Sequence, residues 1–248
     1  MALKTTSTQI LGIIGARSGS IQLPNKNIKE FSGKPLMAWI IQAAKRSQYV
    51  SRLLVSTDSP EYAEIAKHYG AEVPFLRPPE ISGSEATDFQ YIKHAIDWLN
   101  EHEGYVPEYF LRLLPTTPLQ NTQDIDNSII ELLSRPDLES VMVIAEARQH
   151  PEKALAIVTE PDGSKYLKSY TQGNKKNISP GLRQEYKKAY FRGNVVLSRR
   201  EVIDTYENIA GDKVGYTIID AHRAIDIDNL VDFQVAEAIH DLINTSNA

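Results

Sequence analysis

The stretch that decides the fold is Gln9-Ile10-Leu11-Gly12-Ile13-Ile14-Gly15-Ala16, followed directly by the polar run Arg17–Asn27 (RSGSIQLPNKN). An apolar run this short, without polar alternation, predicts a strand buried on both faces, as in a parallel sheet. Downstream the pattern switches repeatedly between such runs and helical periods. Pro35–Lys45 (PLMAWIIQAAK) predicts a helix with proline in its first turn. Arg52–Val55 is the next strand. It stops at Ser56-Thr57-Asp58-Ser59-Pro60, capping residues with a proline ready to open a helix over Glu61–Tyr69. Gly70 ends that helix and Glu72–Leu76 extends again. Thr87–Asn100 sets Phe89, Ile92, Ala95, Ile96 and Leu99 on one helical stripe. Tyr109–Leu114 and Val141–Ala145 are further strands, separated by a helix near Asp124–Ser134. The alternation predicts an α/β fold, a mostly parallel sheet flanked by helices and joined by right-handed crossovers.

From Pro151 to Lys188 the pattern changes to a polar segment rich in Lys, Tyr, Gly and Asn, whose apolar pieces, such as Ala154–Val158, suggest a small inserted lobe. Strands resume at Asn194–Leu197, Tyr216–Ile219 and Ala224–Ile227, and Val231–Ile243 closes with a helix. The 248 residues amount to about 1.7 domains at ~150 residues each, one full domain plus an insertion. With 27 Lys and Arg against 32 Asp and Glu, the net charge of −5 argues against nucleic acid or an anionic membrane as partner. The absence of cysteine excludes disulfides, thiolate metal sites and cysteine nucleophiles. No run approaches the ~20 apolar residues of a membrane span, and the polar N-terminus is not a secretory signal, so a cytoplasmic location is expected.

Three segments can carry chemistry. In an open α/β sheet ligands sit beyond the carboxyl ends of the strands, where the loop from Ala16 to Asn27 would lie. Its small residues let backbone N–H groups turn toward a phosphate, and Arg17 and Lys26 bring positive charge. The second segment is Ala224-Ile225-Asp226-Ile227-Asp228. Residues two apart on a strand share a face, which sets Asp226 beside Asp228. Such a pair suits Mg²⁺ bound jointly with nucleotide phosphates; alternatively one aspartate caps the next helix and the other is salt-bridged. The third, Leu114-Pro115-Thr116-Thr117-Pro118-Leu119, is either a stiff pocket rim or a helix start. The six histidines show no metal-ligand spacing, and no Gly-x-Ser-x-Gly elbow is present.

Together these segments resemble the acylneuraminate cytidylyltransferases, which make CMP-sialic acid and the CMP forms of related nonulosonic acids. The resemblance runs from about Ile10 to Ala238. It is carried, in family order, by Ala16–Ile28, Phe31–Leu36, Val55–Asp58, Tyr69–Pro78, Pro115–Leu119, His150–Lys153, Arg183-Gln184 and Ala224–Glu237. It implies a single Rossmann-like nucleotidyltransferase domain over 1–248 with a dimerisation lobe at 151–190, hence a homodimer. The implied reaction is transfer of CMP from CTP to the anomeric hydroxyl of a 2-keto sugar acid, releasing pyrophosphate, with Mg²⁺ as cofactor. By the same resemblance Arg17 and Lys26 hold the triphosphate with Ser18 and Asn27 beside them. Arg77 and the stretch Ala86–Asp88 read cytosine, Asp226 and Asp228 hold the metal, Lys153 and Arg183 contact the sugar carboxylate, Arg183 reaching across the dimer, and Gln184 and Thr116 complete the substrate contacts. Ile21 and Gln22 stand where the family writes Lys-Gly, Leu114 where it has a polar residue, and Gln120 where it has Arg. These departures keep two alternatives open: a nucleotidyltransferase for another sugar or nucleotide, or a catalytically weakened relative that binds nucleotide or sugar.

Overall fold

The computed structural model describes residues 8–171 and 187–245. In chain order, β1 (Ile10–Gly15) leads through a small hairpin, β2 (Glu30–Phe31) and β3 (Lys34–Pro35), into α1 (Leu36–Lys45). Then come β4 (Arg52–Ser56), α2 (Pro60–His68), α3 (Asp88–Glu103), β5 (Tyr109–Leu113), α4 (Thr122–Ser134) and β6 (Ser140–Glu146). A separate two-stranded sheet, β7 (Leu155–Thr159) with β8 (Lys165–Ser169), precedes β9 (Tyr190–Arg199). The chain closes with α5 (Glu201–Thr205), β10 (Val214–Ile219) and α6 (Leu230–Thr245). The central sheet has six strands in the order β10-β6-β9-β5-β1-β4.

The opening run is the central element it reads as. β1 pairs in parallel with both β4 and β5 and is buried on both faces. Ile10 and Ile14 join the core under α1 and α4, while Leu11 and Ile13 join the core under α3. Helix starts follow local chemistry. Ser59 accepts from the Tyr62 N–H ahead of Pro60, and Thr87 with Gln90 forms a capping box on α3. Gly104, at φ +64°, ends α3 in the left-handed conformation glycine tolerates best.

In the central sheet, among the described residues, β9 is the strand that runs against its neighbours, antiparallel to β5 and β6. The chain leaves β6 at the carboxyl end of the sheet, builds β7 and β8 outside it, and re-enters with Tyr190 opposite Glu146. A strand entering from that end can only run downward, so residues 190–194 are delivered to the end where ligands bind. His150 Nε2 lies 2.8 Å from the Lys187 carbonyl, tying the exit of the excursion to its return.

Two expected strands are not regular structure. Glu72–Leu76 contributes a single bridge, Leu54 to Glu72, because the chain turns away after it to seat Arg77. Ala224–Ile227 joins no sheet. It crosses the top of the molecule instead, where Ile225 and Ile227 bury against Leu23, Phe31 and Phe233, and the Ile227 N–H donates to the Thr116 carbonyl at 2.8 Å. Alternation holds without a ladder because one side of the segment meets an apolar cluster and the other meets solvent.

Among the described residues, no helix is long and apolar enough to cross a membrane. On the α3 side of the sheet, α3 itself covers β4, β1 and β5. Part of β9 and β6 is covered by the chain at 209–210, which accepts from the buried Ser198 and Ser140 hydroxyls, while Arg192 at the ligand end and the β10 edge stay open, with Tyr216 and Ile218 more than half exposed.

Packing at the end of β1 is tight: a Cβ on Gly15 would sit 2.6 Å from Tyr91 Cζ. Tyr91 is buried and cannot swing away. Gly15→Ala is therefore expected to cost ~1–3 kcal/mol by overpacking, read as a lower urea midpoint at unchanged slope; an unchanged midpoint would refute the tight fit.

Candidate active site

The loop after β1 is held by its own polar groups. The Ser18 backbone N–H and hydroxyl both donate to the Asp58 carboxylate at 2.8 Å, tying the loop to the end of β4. Asn27, buried, donates to the Arg17 carbonyl at 3.0 Å. The turn before it uses Asn25 at φ +54°, a conformation asparagine accepts more readily than most residues. These bonds shape the backbone and leave the crest to solvent. Ile21 is 78% exposed there, beside exposed Gln22.

Lys26 reaches across to the far segment. Its ammonium donates to the Ile227 carbonyl at 2.5 Å and lies 3.7 Å from Asp228 Oδ1. The Asp228 side chain is 68% exposed, and Asp226 is exposed as well. Neither aspartate caps α6. Asn229 Oδ1 accepts the N–H groups of Val231 and Asp232, while Asp232 Oδ2 accepts those of Asp228 and Asn229. The salt bridge of the bland alternative exists, but Asp226 has none within the described residues.

Arg77 is buried at the end of β4. It donates to the Ser56 hydroxyl at 3.0 Å and to the Ser56 carbonyl, and stacks 4.6 Å above the Tyr91 ring. Burial holds its guanidinium below the usual arginine range, and Arg17 is near enough to push it down further against the pull of Asp58 and Asp88. Two cations that repel each other beside a small-residue loop form a setting that an anion relieves.

The next layer is a cleft of about 580 Å³ on the open side of the sheet. Asp88, Arg112, Arg192, Asn194 and Asp226 line it, over Met142 and Val196. Arg112, on β5, donates through Nε and Nη2 to Asp88 Oδ2 at 2.8 and 2.6 Å. Its Nη1 lies 3.5 Å from Asn194 Oδ1, and Asn194 Nδ2 lies 3.5 Å from Thr116 Oγ1, both at the outer limit of hydrogen bonding. Gly193 has no room for a side chain, since a Cβ would meet Val143 Cγ1 at 3.0 Å.

A family model described as cytidylyltransferase matches residues 11–239. The chain belongs to the cytidylyltransferase family. It is 29% identical over 232 residues to the N-acylneuraminate cytidylyltransferase of Escherichia coli O18:K1:H7 (strain RS218 / NMEC), covering 94% of this chain. The chain spans about half (52%) of that relative's length. It is 28% identical over 239 residues to the CMP-N,N'-diacetyllegionaminic acid synthase of Campylobacter jejuni, covering 96% of this chain and 97% of that one. Among solved structures, a CMP:2-keto-3-deoxy-manno-octonic acid synthetase complexed with CTP aligns at TM-score 0.68 with 15% identity. That alignment covers 94% of this chain and 99% of the other, a likeness of fold.

Within this member of the family the nominated residues fall into groups. Arg17, Ser18, Lys26 and Asn27 form one edge of the site, and Asp226 and Asp228 stand above it. Ala86 sits just before the Thr87 cap, and Asp88 on the cleft wall is already engaged by Arg112. Thr116 meets both Asn194 and Ile227. Thr116 and Thr117 do not start α4; Asn121 caps it, because only Asn121 has its side-chain oxygen at the Asp124 N–H. Lys153 lies exposed in a short turn, 151–153, outside the cleft lining. Arg183 and Gln184 lie outside the described residues. Gln120 is buried, accepting from the Thr117 hydroxyl at 3.0 Å, and Leu114 is half-buried.

Asp226 and Asp228 offer hard oxygen donors open to solvent. Among the described residues no third His, Cys, Asp or Glu joins them in a cluster. The donor set fits Mg²⁺, which commonly takes one or two carboxylates and completes its shell with phosphate oxygens and water.

Sequence reasoning passed over Arg112 and Arg192, and gave Asp58 and Asn194 no site role of their own. Arg112 carried a signal, a charge inside the apolar run Tyr109–Leu114. Because Arg112 and Asp88 are only partly exposed, Asp88→Asn is expected to destabilise by ~1–2 kcal/mol, and Arg112→Met in the same chain to recover much of that. A double-mutant cycle in urea reads the pair directly, and a coupling energy near zero would refute the bridge.

Proposed function

We propose that this chain transfers CMP from CTP to the anomeric hydroxyl of a nonulosonic-type 2-keto sugar acid, releasing pyrophosphate. One observation carries the reading: the Arg17–Lys26 loop and the Asp226–Asp228 segment are joined at Lys26, at the carboxyl ends of β1 and β5. Cations for a triphosphate and carboxylates for its metal thus meet on one rim. The relatives' names supply the substrate class.

The sugar hydroxyl attacks the α-phosphorus, a P–O bond forms, and the P–O bond to pyrophosphate breaks as the hydroxyl proton leaves. Such a step asks mainly for positioning and charge neutralisation. Arg17 and Lys26 would hold the β- and γ-phosphates and take up charge as pyrophosphate departs. Arg77, the stretch Ala86–Asp88 and the stacked Tyr91 form the wall against which cytosine would lie. Asp226 and Asp228 would hold Mg²⁺, which when bound would supply Lewis acidity for the phosphoryl transfer. The reading carries a cytoplasmic location with it. It also carries a homodimer, supported by the exposed apolar residues Leu155, Ile157, Tyr166 and Leu167 on β7 and β8.

Incubation with CTP, Mg²⁺ and a panel of N-acetylneuraminic, legionaminic and pseudaminic acids is expected to release pyrophosphate with at least one of them. No release with any acid would sink the reading. Asp228→Ala is expected to lower kcat ~100-fold or more while leaving the melting temperature near wild type, since the side chain is mostly exposed. Equal rates at low Mg²⁺ would remove the metal assignment.

Exposed Ile21 favours a second reading, a weakened relative that binds without turnover, because a loop cation is missing where the triphosphate would lie. CTP binding by calorimetry without pyrophosphate release, unrestored by Ile21→Lys with Gln22→Gly, would establish it.

A further inference from the structure

We infer that Arg192 receives the carboxylate of the acceptor sugar acid, within the same chain that holds CTP. The inference rests on the acceptor being a 2-keto acid, as proposed above, and adds the residue that would select for it. Charge accounting in the cleft points there. Asp88 and Arg112 close on each other at 2.6 Å and are spent as a pair. Asn194 is neutral, and Asp226 can only accept. Arg192 is exposed in the same lining and pairs with no carboxylate among the described residues.

Its backbone is fixed. Arg192 sits opposite Ile144 in the β6–β9 pairing, on the open side of the sheet, with Gly193 tight against Val143 next in the chain. A guanidinium on an anchored strand presents a planar fork that matches a carboxylate in two parallel hydrogen bonds. In a 2-keto acid the carboxylate is bonded to the anomeric carbon itself. A group that grips it therefore sets the direction of the anomeric hydroxyl, and Asp226 lies in the same lining. Lys153, the other described candidate, stands outside that lining.

The test uses whichever acid of the panel turns over fastest, together with its methyl ester, on the full-length protein. Arg192→Gln is expected to raise the KM for the acid by about 10- to 100-fold, to leave the KM for CTP within a factor of about two, and to abolish the preference for acid over ester. Arg192→Lys should restore part of the preference, because it keeps the charge and loses the fork. An acid/ester preference that survives in Arg192→Gln would overturn the inference, and its loss in Lys153→Gln would move the role to that residue. An Arg192→Gln effect confined to the KM for CTP would likewise overturn it. Turnover with no sugar acid by the wild type would instead sink the functional reading itself.

Discussion

Lys26 donates to a carbonyl 201 residues further along the chain. An ammonium has three protons and no choice of fork, so it can hold Ile227, lean on Asp228 and still face a third partner. Through that one side chain the first loop of the sheet and the last irregular segment become a single rim. The other anchors of the segment 224–228 are the two isoleucines, the backbone bond to Thr116 and the Asp228 N–H on Asp232, none of which touches the first loop's charged groups. The polar loop is stiffened from its other side by Asp58, which spends both carboxylate oxygens on Ser18.

The half-covered sheet follows from the route of the chain. One crossover helix, α3, suffices for β1, β4 and β5, and the excursion through β7 and β8 takes the place where another would have packed. β9 must then enter from the ligand end, which brings Arg192 and Asn194 to a place no parallel strand would put them. An open sheet face is expensive in exposed apolar area, and Tyr216 and Ile218 carry that exposure here. The gain is a floor of backbone rigid enough to orient a small molecule.

The order of elements was legible because it depends on local periodicity and on capping residues, both written in short windows. Ser59-Pro60 and Thr87 with Gln90 did what their chemistry predicts. The segment Ala224–Asp228 was misread as a strand for a physical reason. Alternation reports only that one side of a chain is buried, and a crossing held by an apolar cluster satisfies that as well as a ladder does. Arg112 was harder. Its partner lies 24 residues earlier, on a helix whose placement over β5 no local window contains. The polarity of β9 was equally out of reach, since strand direction follows from where the chain comes back, not from the strand's composition.

The acidic chain and its cationic rim are not in tension. Net charge sets a field averaged over the surface and screened within about 10 Å at ordinary salt, whereas a bound polyanion feels the few groups around it. Those groups are sorted by burial. Arg77 sits inside, stacked on Tyr91, where desolvation makes it eager for a partner, and Arg112 is quenched by Asp88. Arg17 and Arg192 are left nearer to water, and Lys26, as buried as Arg112, has only a carbonyl and a 3.7 Å contact to Asp228 to share with a ligand. Ile21 lies among these solvent-facing positions, where a cation would cost nothing in folding. Its presence therefore changes what the loop can hold and not how the loop is built, and that is why the sugar and the rate, rather than the fold, are the properties this chain can have altered.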